Sequence, residues 1–91
     1  MLSEKIISAM TVLKDAVYDE EVLDPKTQSL MALSVSAATG CKPCTQNNYQ
    51  AARENGATDA EISAAIGTAM FGVAGKCKNY ATAAIEELKQ Q

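Results

Sequence analysis

The chain has 91 residues and a formal net charge of −3, which leaves no basic face for a nucleic acid and no polybasic patch for an anionic membrane. Hydrophobic residues make up 47% of it and aromatics only 4%, with no tryptophan and no histidine. Packing therefore falls to alanine and short aliphatics, which suit close-packed helices better than a β-sandwich.

A chain this short is expected to form one small domain over residues 1–91, with modest burial and a tendency to oligomerise. The first predicted helix runs from about Ser3, a plausible N-cap, to Asp19. Ile6, Met10, Leu13 and Val17 recur along one face of it. The N-terminus carries acids and lacks a long apolar run, so it does not read as a signal peptide. No segment is apolar enough to span a bilayer. These features predict a cytoplasmic protein.

Asp24-Pro25 reads as an N-cap followed by proline at the first helical position, where the missing N–H costs nothing. A second helix is expected over Pro25 to Ala38, with Leu30, Leu33 and Ala37 on one stripe and Met31 and Val35 beside it. Thr39-Gly40 breaks it. A third helix begins at or just after Cys41 and reaches Asn55, with Gly56 placed to terminate it. Thr58-Asp59-Ala60-Glu61 is a capping box that opens a fourth. Ile62, Ala65, Ile66, Ala69, Met70 and Val73 supply its apolar stripe. Gly72 and Gly75 interrupt the pattern, and a fifth helix is expected over Lys76 to Lys89. The sequence thus reads as all-α, a compact bundle of about five short helices.

Cys41 and Cys44 stand at i and i+3 at a helix N-terminus, so both sulfurs can face one side and join as a disulfide. The free N–H groups and positive dipole end there favour a thiolate over a thiol, and Lys42 adds a charge. Pro43 stiffens the turn. Three readings stand: a redox dithiol, half of a metal site, or two small buried residues with incidental spacing. Zinc takes four ligands, and the only further cysteine is Cys77. A metal site would need acidic ligands or a second subunit. The redox reading agrees with the cytosolic context, the helix end and the spacing together.

The run LDPKTQSLMALSVSAATGCKPCTQNNYQAARENGATDAEISAAIGTAMFG, Leu23 to Gly72, resembles the carboxymuconolactone decarboxylase family and, within it, the alkylhydroperoxidase D-like branch. The proline-led helix, the GCxPC turn and the A-x-x-x-G-A-T-x-x-E-I run at Ala52 to Ile62 carry the likeness. The resemblance implies an all-α fold, a homotrimer or homohexamer, and a CxxC pair that reduces hydroperoxides or disulfides. It implies no cofactor beyond the thiols.

Two positions depart from the family pattern. The peroxidase-type CxxCxxxH histidine is replaced by Asn48. The glutamate of a K-T-x-E-L run is replaced by Ser29. Neither side chain titrates near neutral pH, so the proton relay that the resemblance implies is missing. Peroxide reduction needs a proton donor for the leaving oxygen. Disulfide exchange needs only a thiolate and an acidic leaving thiol. A disulfide reductase is therefore expected, acting through Cys41 and Cys44 with Asn48, Lys42 and Ser29 in support. Its partners are a disulfide substrate and a thiol electron donor. The alternatives are a peroxide reductase with an incomplete relay, and a non-enzymatic oligomer that binds a metal or partner through its thiols. The order of attack is open: helix-end geometry favours Cys41, and the resemblance favours Cys44 for peroxide.

Cys77 is expected as a small buried core residue on the last helix, or else as a third redox thiol. Tyr49, on a different face from Asn48, reads as packing or interface. Lys76 and Lys78 read as solvated surface. Met10, Met31 and Met70 read as core or interface filler.

Overall fold

The computed structural model describes Met1–Gln91 as four α-helices and no strand: α1 Glu4–Val17, α2 Pro25–Thr39, α3 Lys42–Glu54 and α4 Asp59–Lys89. No helix is long and apolar enough to cross a membrane.

Each helix starts at a side-chain cap. Ser3 Oγ accepts from the Ile6 N–H at 3.3 Å. Asp24 accepts from the Thr27 N–H at 2.9 Å and from its hydroxyl at 2.8 Å, with Pro25 in the first turn. Thr58 and Glu61 exchange the two bonds of a capping box, at 3.1 and 2.9 Å. These caps satisfy donors that the first turn leaves unpaired. Gly56, at φ 88°, lies in the left-handed region just past α3, where glycine carries no side-chain penalty.

The expected break between a fourth and a fifth helix does not occur. Gly72 and Gly75 lie inside α4, which continues for 31 residues, and neither has a positive φ. Glycine inside a helix costs roughly 1 kcal/mol relative to alanine. Alanine, methionine, lysine and glutamate on either side offset that weakness, so the backbone hydrogen bonding runs on unbroken.

α2 is the central element. α3 packs on one side of it and α4 on another, while α1 buries none of its residues. Leu33 is fully buried and gathers Ala52, Ala57 and Ile62, with Leu30, Ala65 and Ile66 against them. Polar contacts lock the α2–α4 pair. The Ser34 hydroxyl donates to the Ala65 carbonyl at 2.8 Å, and Lys26 pairs with Glu61 at 2.9 Å.

The face of Ile6, Met10, Leu13 and Val17 is on the outside of this chain, not in a core. Met10, Met31 and Met70 are 62%, 51% and 68% exposed. Cys77, expected to be buried, is exposed as well. For Met10 and Cys77 the cause is that α1 and the distal part of α4 have no partner helix within the chain; Met31, on α2, lines the cleft beside the cysteine pair.

Leu33→Ala should lower the unfolding free energy by about 2–5 kcal/mol, because it empties the centre of the only buried cluster; denaturant unfolding reads it. A pH effect follows from two caps. The Thr27 backbone N–H, and then its hydroxyl, hold Asp24 below its ordinary pKa of 3.8. The Thr58 backbone N–H, followed by Lys26, holds Glu61 below 4.5. A carboxylate with a depressed folded pKa stabilises the fold above its ordinary value and loses that contribution as pH falls through the folded one. The thermal midpoint should therefore drop as pH is lowered beneath about 4.5. Asp24→Asn with Glu61→Gln should flatten that slope.

Candidate functional site

The cysteine pair sits at the junction of α2 and α3, and local chemistry sets that junction. Thr39 Oγ1 donates to the Val35 carbonyl at 2.9 Å and closes the last turn of α2. Gly40, at φ 73°, takes the left-handed conformation that reverses the chain, which only glycine adopts freely. The Cys41 N–H then donates back to the Ser36 carbonyl at 3.1 Å. This fixes Cys41 as the N-cap of α3.

Cys41 Sγ accepts from the Cys44 N–H at 3.3 Å. A sulfur thus fills the place of the usual cap oxygen. Thr45 adds two bonds to the Cys41 carbonyl, from its N–H at 2.9 Å and from its hydroxyl at 2.7 Å. Cys41 and Cys44 are joined as a disulfide, their Cα atoms 5.3 Å apart. Cys41 is half-buried, and Cys44, Lys42 and Pro43 are exposed. Lys42 enters none of the chain's salt bridges, so its charge stays free beside the pair.

The pair opens onto a cleft of about 380 Å³ between the end of α1, α2 and the start of α3. Asn48 lines it, with its Nδ2 donating to the Ala32 carbonyl at 3.2 Å and to Ser36 Oγ at 3.4 Å. Ser36 is buried, also lines the cleft, and donates to the Leu33 carbonyl at 3.0 Å. Val17 and Tyr18 from the end of α1 form the opposite wall, and Gln28 and Met31 extend the α2 side. Gln28 Oε1 is buried there without a hydrogen-bond partner.

Ser29 does not reach this cleft. Its hydroxyl donates to the Pro25 carbonyl at 2.7 Å and accepts from Asn55 Nδ2 at 3.0 Å, which ties α2 to the far end of α3. Cys77 lies apart on the distal stretch of α4 with Val73, Lys76 and Tyr80. No three cysteine, aspartate or glutamate side chains converge as metal ligands would. Tyr49 turns to Arg53, whose Nε donates to the phenol oxygen at 3.1 Å. Sequence reasoning missed Ser36, Gln28 and Tyr18. A signal for Ser36 was present, since it shares a helical face with Ser29 two turns away.

A disulfide-linked cysteine pair at a helix N-cap, beside a cleft in an all-α chain, defines a class of small helical cysteine-pair protein. The carboxymuconolactone decarboxylase family model matches residues 6–87, and the chain belongs to that family. It is also 32% identical over 85 residues to "Uncharacterized protein 4 in cox locus" of Paracoccus denitrificans, across 93% of this chain and 77% of that protein.

Exposure and bonding rank the two sulfurs differently. Cys44 is the more accessible, but Cys41 holds the cap bond that stabilises an anion. Bonding should dominate, because a small electrophile reacts in proportion to thiolate content. In the reduced protein, iodoacetamide should alkylate Cys41 before Cys44, with half-maximal rate below the pH of about 8.5 typical of a free thiol. Mass spectrometry of the labelled peptides across pH reads both.

Proposed function

We propose that the protein is a thiol–disulfide oxidoreductase of the alkylhydroperoxidase D-like branch, acting in the cytoplasm without a bound cofactor. The observation that carries this reading is the Cys41 sulfur at the N-cap of α3, bonded to the Cys44 N–H and bridged to Cys44 beside an open cleft.

In the proposed cycle the Cys41 thiolate attacks one sulfur of a substrate disulfide. The S–S bond of the substrate breaks, a mixed disulfide forms on Cys41, and the first product leaves as a thiolate that takes up a proton from solvent. Cys44 then loses its proton to water and attacks Cys41 Sγ. The second product leaves, and the Cys41–Cys44 disulfide remains. Two electrons have passed from the protein dithiol to the substrate. An external dithiol reverses the sequence on the protein and restores both thiols. Backbone N–H groups and Lys42 stabilise the anion at the helix end. Asn48 offers the cleft a hydrogen-bonding amide and no base. Ser29, bound to Asn55, acts only through the packing of α2 on α3. The homotrimer or homohexamer of the resemblance is part of the same reading.

Disulfide and peroxide should separate as substrates. The reduced protein should reduce an aromatic disulfide with turnover when a dithiol is supplied, and should consume cumene hydroperoxide only at the rate of a free thiol. Cys41→Ser and Cys44→Ser should each cost as much turnover as the double variant, because the pair acts as a unit. Wild-type turnover in both single variants, or peroxide consumption that matches disulfide reduction, would overturn the assignment.

A further inference from the structure

The cleft beside the cysteine pair is lined by 11 residues, and none of them is charged. An ionic group entering it would lose hydration without meeting a counter-charge. The polar side chains that α2 and α3 place there mostly spend their donors inside the chain. The Ser36 hydroxyl donates to the Leu33 carbonyl at 3.0 Å and the Thr39 hydroxyl to the Val35 carbonyl at 2.9 Å. Asn48 Nδ2 donates to the Ala32 carbonyl at 3.2 Å and to Ser36 Oγ at 3.4 Å. Gln28 is the exception: its Oε1 is buried and accepts no hydrogen bond. A buried acceptor without a donor destabilises the empty cleft, and an occupant that brings an N–H relieves it.

Gln28, Ala32, Ser36 and Thr39 fall on one stripe of α2, and all four line the cleft. The stripe leads to the corner where the Ser36 carbonyl accepts from the Cys41 N–H at 3.1 Å. Gln28 lies about 12 Å along the α2 axis from Ser36. An extended peptide advances about 3.3–3.6 Å per residue, so an N–H about three or four residues from a substrate cysteine spans that length. Val17, Met31, Ala32 and Val35 offer apolar contact on the way.

We propose that the disulfide this protein reduces belongs to an extended, uncharged peptide segment, and that Gln28 selects it by accepting one of its backbone N–H groups while Cys41 meets its sulfur. This deepens the thiol-exchange reading and rests on it for the reaction. Two electrons pass from the Cys41–Cys44 dithiol to the peptide disulfide, whose S–S bond breaks to give two peptide thiols, and the protein is left as its disulfide. Gln28 exchanges neither a proton nor an electron. It sets which arm lies along α2.

The test compares three symmetric disulfides. The long one is a cysteine flanked by three alanines on each side, capped at both ends. The short one is capped cysteine alone, whose N–H groups stand next to the sulfur and do not reach Gln28. The third is the long peptide with every alanine N-methylated. Reduced protein is mixed with each in a rapid-quench single turnover, and the released peptide thiol is measured by chromatography. Wild type should reduce the long peptide about tenfold faster than the short one, and N-methylation should remove most of that advantage. Gln28→Leu should reduce long and short alike, with its rate on the short disulfide and the alkylation of its Cys41 by iodoacetamide within about twofold of wild type. Gln28→Glu, whose side-chain oxygens only accept at neutral pH, should keep the preference for the long peptide. The thermal midpoint of Gln28→Leu should hold or rise, because Gln28 Oε1 bonds nothing in its own chain.

Equal wild-type rates on long and short peptides would overturn the proposal, as would an unchanged preference in Gln28→Leu. So would a lower midpoint in Gln28→Leu with equal loss on all three substrates, which marks a structural role. Faster reduction of an alkyl-armed disulfide of equal reach ending in a methylamide would overturn the peptide assignment. Failure of the thiol-exchange reading looks different: wild type would release thiol from none of these disulfides faster than free cysteine does, and both readings would fall.

Discussion

The Cys41 sulfur stands where a helix-capping oxygen usually stands, and both the fold at that corner and the proposed chemistry depend on it. The first turn of a helix leaves backbone N–H groups unpaired, and something must accept from them. Here the acceptor is the sulfur of Cys41. Gly40 allows the reversal, the Ser36 carbonyl anchors the Cys41 N–H, and Cys44 presents its own N–H to its partner's sulfur. None of these donors titrates. The backbone part of whatever the corner does for a charge on sulfur therefore does not change with pH.

A second constraint is the antiparallel packing of α2 on α3. Asn48, early in α3, bonds Ser36, late in α2; Asn55, at the end of α3, bonds Ser29, early in α2. The two rungs are two helical turns apart, about 10 Å. This register decides which α2 residue faces the cysteines. The position that the family resemblance singles out, Ser29, lies on the far rung, while Ser36 and Gln28 reach the cleft. A resemblance read along the sequence carries positions forward without their register, so it pointed to Ser29, and only the seven-residue helical repeat pointed on to Ser36.

Legibility followed range. The caps at Ser3, Asp24 and Thr58, the reversal at Gly40 and the helix start at Cys41 all rest on interactions within four residues, and the sequence displays them openly. The continuity of α4 through Gly72 and Gly75 was hidden, because glycine marks a weak point in a helix without saying whether its neighbours hold. The exposure of Cys77, Met10 and Met70 was hidden for a different reason. Helical periodicity tells which residues share an apolar face; it does not tell whether the face is covered by the same chain.

The lack of histidine bears unequally on the two candidate reactions. A free thiol with a pKa of about 8.5 is roughly 3% ionised at pH 7, and lowering it by about one unit raises that to about a quarter. A helix end contributes about 0.3–1 kcal/mol to an exposed anion, and up to about 2 when it is partly buried, as Cys41 is. That range spans the one-unit change, so a helix end of this kind is strong enough to supply the nucleophile that the proposed exchange requires. It does nothing for the leaving group. Breaking an O–O bond expels an alkoxide, a strong base that needs a proton as the bond breaks, and no titratable side chain lines the cleft near the pair other than the phenol of Tyr18. Breaking an S–S bond expels a thiolate, which leaves unaided. This asymmetry between the two leaving groups is what supports the proposed disulfide exchange over peroxide reduction.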